Sequence, residues 1–332
     1  MSSPIAGKNV IVTGACGFIG SHLVERLVRD GARVRGIVYY NSFGSHGWLE
    51  ELDPSVKKEV EVLTGDIRDE AWVRSILKNQ EIAFHLAALI AIPYSYVAPG
   101  AYVQTNVVGT LNVLSGARDA GVQRIVHTST SEVYGTARYV PIDEAHVLQG
   151  QSPYSATKIA ADKLVESFVK SFSMPIVTLR PFNTYGPRQT ARAVIPTILT
   201  QLIAGKSTIK LGSVTPTRDF TFVTDTVDAF VRAGTTPGLE GEVLNAGNGK
   251  DISIGDLVKL ASEVMGRRIE VVTDQERIRP ANSEVDRLQA NATRLREKTG
   301  WAPQVSLKEG LTRTAAWLKN PRTGFDADRY HV

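Results

Sequence analysis

The stretch Thr13-Gly14-Ala15-Cys16-Gly17-Phe18-Ile19-Gly20 decides the fold of this chain. It follows an apolar run and precedes an amphipathic run, so we predict a tight turn between a buried strand and a helix. In such a turn Gly14 permits the reversal, Gly17 lets backbone N–H groups approach a diphosphate, and Gly20 allows close helix packing. The helix N-terminus adds a partial positive charge that attracts anions. This context predicts a dinucleotide-binding site rather than a purely structural turn.

Short apolar segments and longer amphipathic ones alternate through residues 1–180. The strand-like segments are Asn9–Thr13, Arg33–Tyr39, Val60–Thr64, Ile82–Leu86, Arg124–Thr128 and Pro175–Leu179. The helix-like segments are Phe18–Asp30, Ala71–Lys78, Val103–Ala120 and Pro153–Phe172. Such alternation predicts a parallel sheet with helices on both faces. The expected fold class is α/β, a doubly wound parallel sheet of the Rossmann type with a smaller C-terminal α/β substrate domain.

The pattern becomes shorter and more mixed after the sixth predicted strand. We expect helices near Ile195–Ala204, Thr224–Ala233 and Ser253–Met265, and a strand near Phe220. Residues 1–180 are therefore predicted to form the dinucleotide-binding domain, to which segments near 220–247 return. Residues 181–320 are predicted to be mainly substrate-binding, and residues 321–332 to be a surface tail.

Composition excludes several classes of protein. The 332 residues include 42% hydrophobic and 22% charged residues, which is typical of a folded globular protein. The net charge is +4 and the pI about 9.1, but no Lys/Arg run predicts nucleic-acid binding. The single Cys16 allows neither an intrachain disulfide nor a thiol-based zinc site, and we expect no metal site. Without an apolar leader or a run of about 18 apolar residues, we expect a cytoplasmic protein with no membrane segment.

Tyr154 and Lys158 have the Tyr-x-x-x-Lys spacing within the predicted helix Pro153–Phe172. Positions i and i+4 share one face of a helix, so the Lys ammonium would lie beside the Tyr phenol and favour its ionised form. Tyr154 is therefore a candidate base for the proton of a substrate hydroxyl. The alternative is an exposed helical pair without function, because this spacing alone is common.

Thr130, Ser131 and Glu132 follow the predicted strand Arg124–Thr128 directly, at the edge of the sheet where doubly wound folds bind ligands. Thr130 could hydrogen-bond the reacting hydroxyl. Glu132 is the informative residue, because elimination of water beside a ketone needs a base for a carbon-bound proton and an acid for the departing oxygen, and one carboxyl group can serve both. The structural alternative is a Glu that caps the next turn or pairs with an Arg.

These motifs together resemble the extended branch of the short-chain dehydrogenase/reductase family, over roughly residues 7–320. Thr-Ser-Glu-Val-Tyr-Gly at residues 130–135 resembles the nucleotide-sugar 4,6-dehydratases, and UDP-glucuronate decarboxylases share it. Three further segments, 89–96, 188–196 and 279–288, are most similar to nucleotide-N-acetylglucosamine 4,6-dehydratases of legionaminic acid-type pathways. The resemblance implies a homodimer built on the helices Val103–Ala120 and Pro153–Phe172.

The resemblance also implies which residues bind the cofactor. The implied set is Gly14, Gly17, Phe18, Ile19 and Gly20 in the turn, Asp66 and Ile67 at the adenine, Leu86, Ala87 and Ala88 beneath the cofactor, Asn106 behind the catalytic Lys, and Tyr154 with Lys158. For Asp66 a helix N-cap is an equally good interpretation. The second strand ends in Val38-Tyr39-Tyr40-Asn41, without the usual acidic residue or an Arg for a 2′-phosphate. We predict tightly bound NAD, with NADP as the alternative.

On the substrate side, the resemblance implies that Asn183 and Arg218 hold the diphosphate of a nucleotide sugar. Arg279 would supply a further phosphate or nucleotide contact, and Val194 would lie near the base. The predicted function is a 4,6-dehydratase that converts a UDP- or GDP-linked N-acetylglucosamine, or a related hexose, into its 4-keto-6-deoxy form. The alternatives are a nucleotide-sugar 4-epimerase and a UDP-glucuronate decarboxylase. A non-enzymatic NAD(P)-binding regulator would have no need of Tyr154 and Lys158.

Overall fold

The computed structural model describes residues 3–278, 280–320 and 325. Its strands are β1 (Asn9–Thr13), β2 (Arg33–Tyr39), β3 (Val60–Gly65), β4 (Ile82–His85), β5 (Arg124–Thr128), β6 (Ile176–Pro181), β7 (Thr184–Tyr185), β8 (Thr208–Leu211), β9 (Thr217–Asp219), β10 (Thr221–Phe222), β11 (Val243–Ala246), β12 (Asp251–Ser253) and β13 (Glu270–Thr273).

The helices connect these strands along the whole chain. They are α1 (Phe18–Arg29), α2 (Pro54–Lys57), α3 (Glu70–Ile76), α4 (Ile92–Val97), α5 (Pro99–Tyr102), α6 (Gly109–Asp119), α7 (Pro153–Phe172), α8 (Val194–Ile203), α9 (Val223–Thr235), α10 (Ile254–Met265), α11 (Thr293–Thr299) and α12 (Leu307–Leu318). A π-helix (Val103–Val108) joins α5 to α6, and short 3-10 turns occupy Gly47–Glu51, Ser131–Tyr134, Gln275–Arg277 and Ala281–Ser283.

The main sheet has seven strands in the order β11-β6-β5-β4-β1-β2-β3, and every neighbouring pair is parallel. The order reverses between β1 and β4, so the crevice above the carboxyl ends of these two strands is the expected ligand position. One layer of the core lies between the sheet and α1 with α9, and a second lies under α3, α6 and α7. The predicted doubly wound Rossmann-type fold is confirmed.

Burial explains why the central strands are so regular. All four residues of β4 and all six of β6 are buried, as expected for strands that are covered on both faces. Edge strand β3 is mostly half-exposed or exposed and alternates weakly. The carboxyl ends of β1, β4 and β5 are thereby fixed next to one another by a rigid interior.

The second half of the chain contributes to both parts of the molecule. β11 pairs with β6 in the main sheet, and α9 packs against α1. Three two-stranded sheets (β7 with β10, β9 with β12, β8 with β13) lie outside the main sheet, and α8, α10 and α12 pack together beside them. The boundaries of the two domains stay a prediction.

Two expectations need correction or restriction. The predicted helix Val103–Ala120 is continuous in the structure, but its first third, Val103–Val108, has π-helical hydrogen bonding and the α-helix proper runs over Gly109–Asp119. The tail at 321–332 lies outside the described residues except Phe325, whose ring packs edge-on against Trp317 at 6.1 Å. Among the residues that the structure describes, no helix is long and apolar enough to span a membrane.

Candidate active site

The glycine turn between β1 and α1 has no room for side chains at two of its positions. Gly14 has φ +72°, and a Cβ there would lie 2.8 Å from the backbone nitrogen of Ala87. A Cβ on Gly20 would overlap the carbonyl oxygen of Gly14. Gly17 is the exposed N-cap of α1. Because glycine has no side chain, no side chain caps the backbone N–H groups of the first helical turn, and they are left for a ligand. The turn therefore fits a diphosphate that approaches backbone atoms closely.

Thr13 links the glycine turn to the end of β4. Its hydroxyl oxygen accepts hydrogen bonds from the backbone nitrogens of Leu86 and Ala87, both at 3.1 Å. The same hydroxyl lies 2.8 Å from Nδ1 of buried His85. This arrangement holds the predicted floor of the cofactor site, where Ala88 follows Ala87, in one register against β1. Sequence reasoning did not single out Thr13.

A chain of buried polar groups continues from His85 to the π-helix. His85 Nε2 lies 3.0 Å from the Thr110 hydroxyl, which donates to the carbonyl oxygen of Asn106 at 2.7 Å. Since the Thr110 hydrogen is already committed, Nε2 of His85 must donate and its Nδ1 must accept from Thr13. Burial, together with the nearby charges of His127 and Lys158, holds the pKa of His85 well below its ordinary value, so this imidazole is neutral.

Asn106 lies in the π-helix, and its side-chain amide is completely used. Its Oδ1 accepts from the Leu89 backbone nitrogen at 2.8 Å, and its Nδ2 donates to the Leu89 carbonyl at 2.9 Å and to the Thr157 hydroxyl at 3.1 Å. Asn106 therefore reaches the residue next to Lys158 and the loop after β4. Among the described residues no hydrogen bond joins Asn106 to Lys158 itself.

Asp66 and Ile67 follow β3 at the predicted adenine position. Asp66 does not cap a helix, because the N-cap of α3 is Asp69, whose carboxylate accepts from the Trp72 nitrogen at 3.1 Å. Instead Asp66 binds the guanidinium of Arg68, and this hydrogen bond holds the pKa of Asp66 below its ordinary value. Ile67 is buried. The N-cap interpretation of Asp66 is therefore wrong.

The end of β2 presents aromatic rings rather than a carboxylate. Tyr39 and Tyr40 are 60% and 68% exposed. The side-chain amide of Asn41 is used locally, since it donates to the carbonyl of Ser45 at 2.8 Å and accepts from the Ser45 nitrogen at 3.1 Å. Phe18 and Ile19 begin α1 on the same side of the turn, and both are partly buried against the core.

Tyr154 occupies the second position of α7 and is buried. Ser152 caps this helix by accepting from the Ser155 nitrogen at 3.1 Å, and the Ser155 hydroxyl accepts from the Ser152 nitrogen at 3.0 Å. The Tyr154 ring packs against Ile92 and, at 6.3 Å, edge-on against Tyr102. A capped first turn and an apolar wall therefore fix the phenol in place.

Burial raises the pKa of Tyr154 above its ordinary value, and the charge of Glu132 raises it further. A hydrogen bond with Thr130 acts in the opposite direction. The predicted preference for a phenolate is therefore absent in the protein's own electrostatics, and ionisation of Tyr154 needs additional positive charge.

Lys158 lies one helical turn after Tyr154 and is almost fully buried. Its Nζ donates to the Thr128 carbonyl at the end of β5, at 2.6 Å. Burial lowers the pKa of Lys158 to about 8, although the charge of Asp162 works against this shift. The ammonium is thus held at the carboxyl end of the central strands, directly before the Thr130 segment.

The turn after β5 brings Thr130, Ser131 and Glu132 to Tyr154. Ser131–Tyr134 forms one 3-10 turn, and the Thr130 hydroxyl caps it by accepting from the Glu132 nitrogen at 3.2 Å. Ser131 is buried and Glu132 is half-buried. Both structural alternatives for Glu132 fail, because Thr130 is the cap and, among the described residues, no Arg or Lys pairs with Glu132.

The predicted substrate residues lie at the start of the second half of the chain. Asn183 follows β6 with a buried Oδ1 for which the described residues supply no hydrogen-bond partner. Val194 is the first residue of α8 and is partly buried. Arg218 is buried and its Nη2 contacts Oε1 of Glu284 at 3.1 Å. Arg279 lies outside the described residues.

A buried ion pair that sequence reasoning missed lies directly behind this site. Asp162 is one turn after Lys158, and Arg180 is in β6. The two side chains meet at 2.9 Å and each is 6% exposed. The position of an Asp four residues after the predicted catalytic Lys158 is the only signal that could have indicated it. The described residues contain no group of three or more side chains suited to hold a metal ion.

The fold and the site together define a dinucleotide-dependent enzyme of the extended short-chain dehydrogenase/reductase type. A profile of the family described as GDP-mannose 4,6 dehydratase matches residues 11–314. Because this match covers more than half of the chain, the chain belongs to that family of nucleotide-sugar dehydratases and epimerases. The resemblance to the extended short-chain dehydrogenase/reductase family is confirmed.

Relatives with this fold include both dehydratases and epimerases. A UDP-glucose 4-epimerase from Mycolicibacterium smegmatis is 36% identical over 318 residues, which cover 93% of this chain and 98% of that protein. A dTDP-D-glucose 4,6-dehydratase from Homo sapiens is 32% identical over 320 residues, which cover 94% and 90%. The crystal structure of DesIV, a dTDP-glucose 4,6-dehydratase from Streptomyces venezuelae with NAD and TYD bound, is 28% identical and superposes with a TM-score of 0.85, covering 96% of this chain and 99% of that one.

Proposed function

We propose that this protein is a nucleotide-sugar 4,6-dehydratase acting on a UDP- or GDP-linked N-acetylglucosamine or a related hexose. The observation that carries the proposal is Glu132. Its carboxyl group is half-buried, has no cationic partner among the described residues, and lies close enough to raise the pKa of Tyr154. A free carboxylate beside the candidate base is what elimination of water requires, whereas epimerisation at C4 does not need it.

The cofactor would be NAD, held tightly because the reaction has no net redox change. Gly14 and Gly20 provide a cradle that a Cβ would fill, and Gly17 exposes the start of α1. DesIV, a relative that dehydrates a nucleotide sugar, holds NAD in its crystal structure. When bound, NAD would take a hydride from C4 of the sugar and return it at C6.

In the proposed mechanism Tyr154 accepts the proton of the sugar 4-hydroxyl, and Thr130 hydrogen-bonds the same oxygen. Since burial opposes ionisation of Tyr154, the phenolate depends on the ammonium of Lys158 and on the positive charge of the nicotinamide. This dependence would order the reaction, because the base becomes strong only when the cofactor is in place.

Glu132 then removes the proton from C5, next to the new C4 ketone, and water leaves from C6. The same carboxyl group, or a water held by Ser131, gives a proton to the departing oxygen. C5 finally takes a proton from solvent, which replaces the proton that left with the water, so the product is a 4-keto-6-deoxy sugar nucleotide. Asn183 and Arg218 would hold the diphosphate during these steps, with Val194 near the base.

A nucleotide-sugar 4-epimerase is the second candidate. It is favoured by the 36% identity with the UDP-glucose 4-epimerase from Mycolicibacterium smegmatis. Such an enzyme would use Tyr154, Lys158 and Thr130 in the same way but would not depend on Glu132.

The test is to incubate the purified protein separately with UDP-N-acetylglucosamine and GDP-N-acetylglucosamine, without added NAD, and to determine the product masses. We expect the loss of one water from one of the two substrates. In Glu132→Gln we expect dehydration to slow by about 10²- to 10⁴-fold, because the C5 base is gone. Reduced nicotinamide should then accumulate, since Tyr154 still removes the proton of the 4-hydroxyl and the hydride still leaves C4.

The matched control is Glu309→Gln, an exposed carboxylate on α12 that pairs with Arg313. It should keep the wild-type rate. A wild-type rate of dehydration in Glu132→Gln would contradict the proposal. An unchanged product mass together with a new epimer in the NMR spectrum would establish the second candidate instead.

A further inference from the structure

The Thr130–Glu132 segment is anchored at both of its ends to one buried ion pair. Ser129, which precedes the segment, donates its hydroxyl hydrogen to Oδ2 of Asp162 at 2.8 Å. Tyr134, which follows it, accepts at its Oη from Nη1 of Arg180 at 2.9 Å. Asp162 and Arg180 are joined to each other at 2.9 Å. The catalytic turn is therefore a short span of chain between two tethers that meet at the same pair.

The pair also belongs to the elements that carry the other half of the site. Asp162 is on α7, one turn after Lys158 and two turns after Tyr154, so its position is rigidly tied to theirs. Its Oδ1 accepts from Nε2 of buried His127 in β5 at 3.2 Å. Burial pushes the pKa of Asp162 upward, but His127, Arg180 and Lys158 outweigh it and hold the pKa at about 2, so the carboxylate stays ionised.

The second tether is equally well supported. The Tyr134 hydroxyl donates onward to Oδ1 of Asn245 in β11 at 2.7 Å, and the Arg180 guanidinium lies 5.0 Å from the centre of the Tyr134 ring. All of these side chains are buried. Removing two charges from water is costly, and a buried pair often adds little net stability, so stability alone does not account for this one.

We propose that the Asp162–Arg180 pair is a positioning device that sets the Thr130–Glu132 turn against Tyr154 and Lys158. Asp162 holds the Thr130 end through Ser129, and Arg180 holds the Glu132 end through Tyr134. The different roles of the two ends rest on the proposed function, since it assigns the proton of the 4-hydroxyl to the Thr130 end and water elimination to the Glu132 end.

The kinetic test removes one of the two anchoring hydrogen bonds at a time by substitution in the full-length, NAD-loaded protein. Ser129→Ala should slow oxidation at C4, whereas Tyr134→Phe should slow water loss and let reduced nicotinamide accumulate. We expect kcat to fall by about 10- to 100-fold in each, because a misplaced group costs rate without costing binding. KM should change by less than about threefold. Asp162→Asn, which touches both tethers, should impair both steps.

A second readout needs no substrate. The titratable groups that raise the pKa of Tyr154 are Glu132 in the turn, Tyr102 on α5 and Asp162 on α7, and Lys158 lies one turn after Tyr154 on the same helix. Ser129→Ala leaves all of them in place but should loosen the hydrogen bond from Thr130. The tyrosinate absorbance titration of the NAD-loaded variant, corrected with Tyr154→Phe, should therefore show the pKa of Tyr154 raised by about one unit.

The control is Asp225→Asn, which alters another buried carboxylate in α9. Asp225 accepts from the backbone nitrogens of Gln304 and Val305, both at 3.0 Å, and has no hydrogen bond with the catalytic turn among the described residues. It should lower the melting temperature while leaving kcat and the Tyr154 titration unchanged.

Wild-type kcat in both Ser129→Ala and Tyr134→Phe would overturn the positioning role, and so would an unshifted Tyr154 titration in Ser129→Ala or an equal loss of kcat in Asp225→Asn. The proposed function fails separately, through the product of the wild-type protein. If that product is an epimer, the same variants are compared on the epimerase reaction and on the titration, and a slowed kcat with the raised pKa still supports the positioning role.

Discussion

Lys158 carries a charge in a place that disfavours charge. It is buried at the end of β5 and its ordinary pKa of 10.5 is lowered to about 8. Its ammonium nevertheless donates to the Thr128 carbonyl and stands in the helix that holds Tyr154. The buried charge of Lys158 therefore lowers the stability of the folded protein, and the proposed chemistry needs that charge.

Lys158→Met should separate the cost of the buried charge in stability from its role in the reaction. The folded pKa lies below the unfolded one, so the folded chain is penalised while Lys158 is protonated, below about pH 8. The penalty fades as the pH rises from 8 towards 10.5. The difference between the unfolded and folded pKa values corresponds to about 3 kcal/mol of destabilisation. Lys158→Met removes this penalty, but the variant also loses the hydrogen bond to Thr128, which makes its net gain smaller. We expect the variant to unfold at higher urea concentration than wild type at pH 7, and to be inactive.

The comparison is made by urea unfolding at several pH values. The advantage of Lys158→Met over wild type should shrink as the pH is raised through 8. An equal difference at pH 6 and pH 10 would mean that the ammonium is not penalised in the folded state.

Individual candidate site residues were predictable where they belong to a short sequence pattern. The glycines at 14, 17 and 20 and the pair Tyr154 and Lys158 have fixed spacings, and all lie at the carboxyl edge of the sheet or at the turn beside it. The contacts of Thr13, His85, Asp162 and Arg180 were not predicted, because they join strands and a helix that are distant in the sequence. The unpaired state of Glu132 is likewise a property of its surroundings, which the sequence does not display.

At the scale of elements, α7 is the helix on which the site depends. Its bounds were predicted without error because a Ser-Pro start, with Ser152 as cap and Pro153 at the first position, is a strong signal for a helix N-terminus. The π-helix Val103–Val108 was not predictable. The inward bonds of Asn106 to Leu89 and Thr157 form only in the folded protein, and π-helical turns of this kind often occur at functional sites.

Ser152→Ala should weaken both the stability and the chemistry of α7. Loss of the capping bond to the Ser155 nitrogen should lower the free energy of unfolding by about 1 kcal/mol. Because Tyr154 lies in the same first turn, fraying should also lower kcat. The matched control is Ser306→Ala, which removes the equivalent cap of α12 from the Glu309 nitrogen.

Chemical unfolding measures the stability of the two variants, and steady-state kinetics measures their kcat. Similar losses of stability are expected in both, but a lower kcat only in Ser152→Ala. Equal kcat values would show that the position of Tyr154 does not depend on its cap.

On the scale of the whole molecule, three large apolar side chains are exposed on the helices of the predicted dimer interface. Val103, Leu111 and Phe172, on the π-helix, α6 and α7, are 45%, 38% and 49% exposed. The resemblance stated from the sequence implies a homodimer built on these helices, and this stays a prediction. Burying such side chains against a second copy would remove apolar surface from water.

Light scattering after size-exclusion chromatography should therefore give the mass of two chains. Leu111→Glu should shift the protein towards one chain by placing a charge in the interface. Val272→Glu, at a position in β13 that is 48% exposed, is the control and should leave the mass unchanged. A single-chain mass for the wild type at micromolar concentration would contradict the predicted dimer.

The pairing of β11 with β6 has a consequence for how the protein is made. Until Val243–Ala246 has been synthesised, β6 is an open edge, and Phe84 lacks the cover that Gly234 in α9 provides. The nucleotide-binding half can therefore not close while the ribosome is still translating the segments that follow it. A nascent chain carries this unfinished edge for more than sixty codons after β6, and it is during that interval that the chain is most exposed to strand addition by a neighbour or capture by a chaperone.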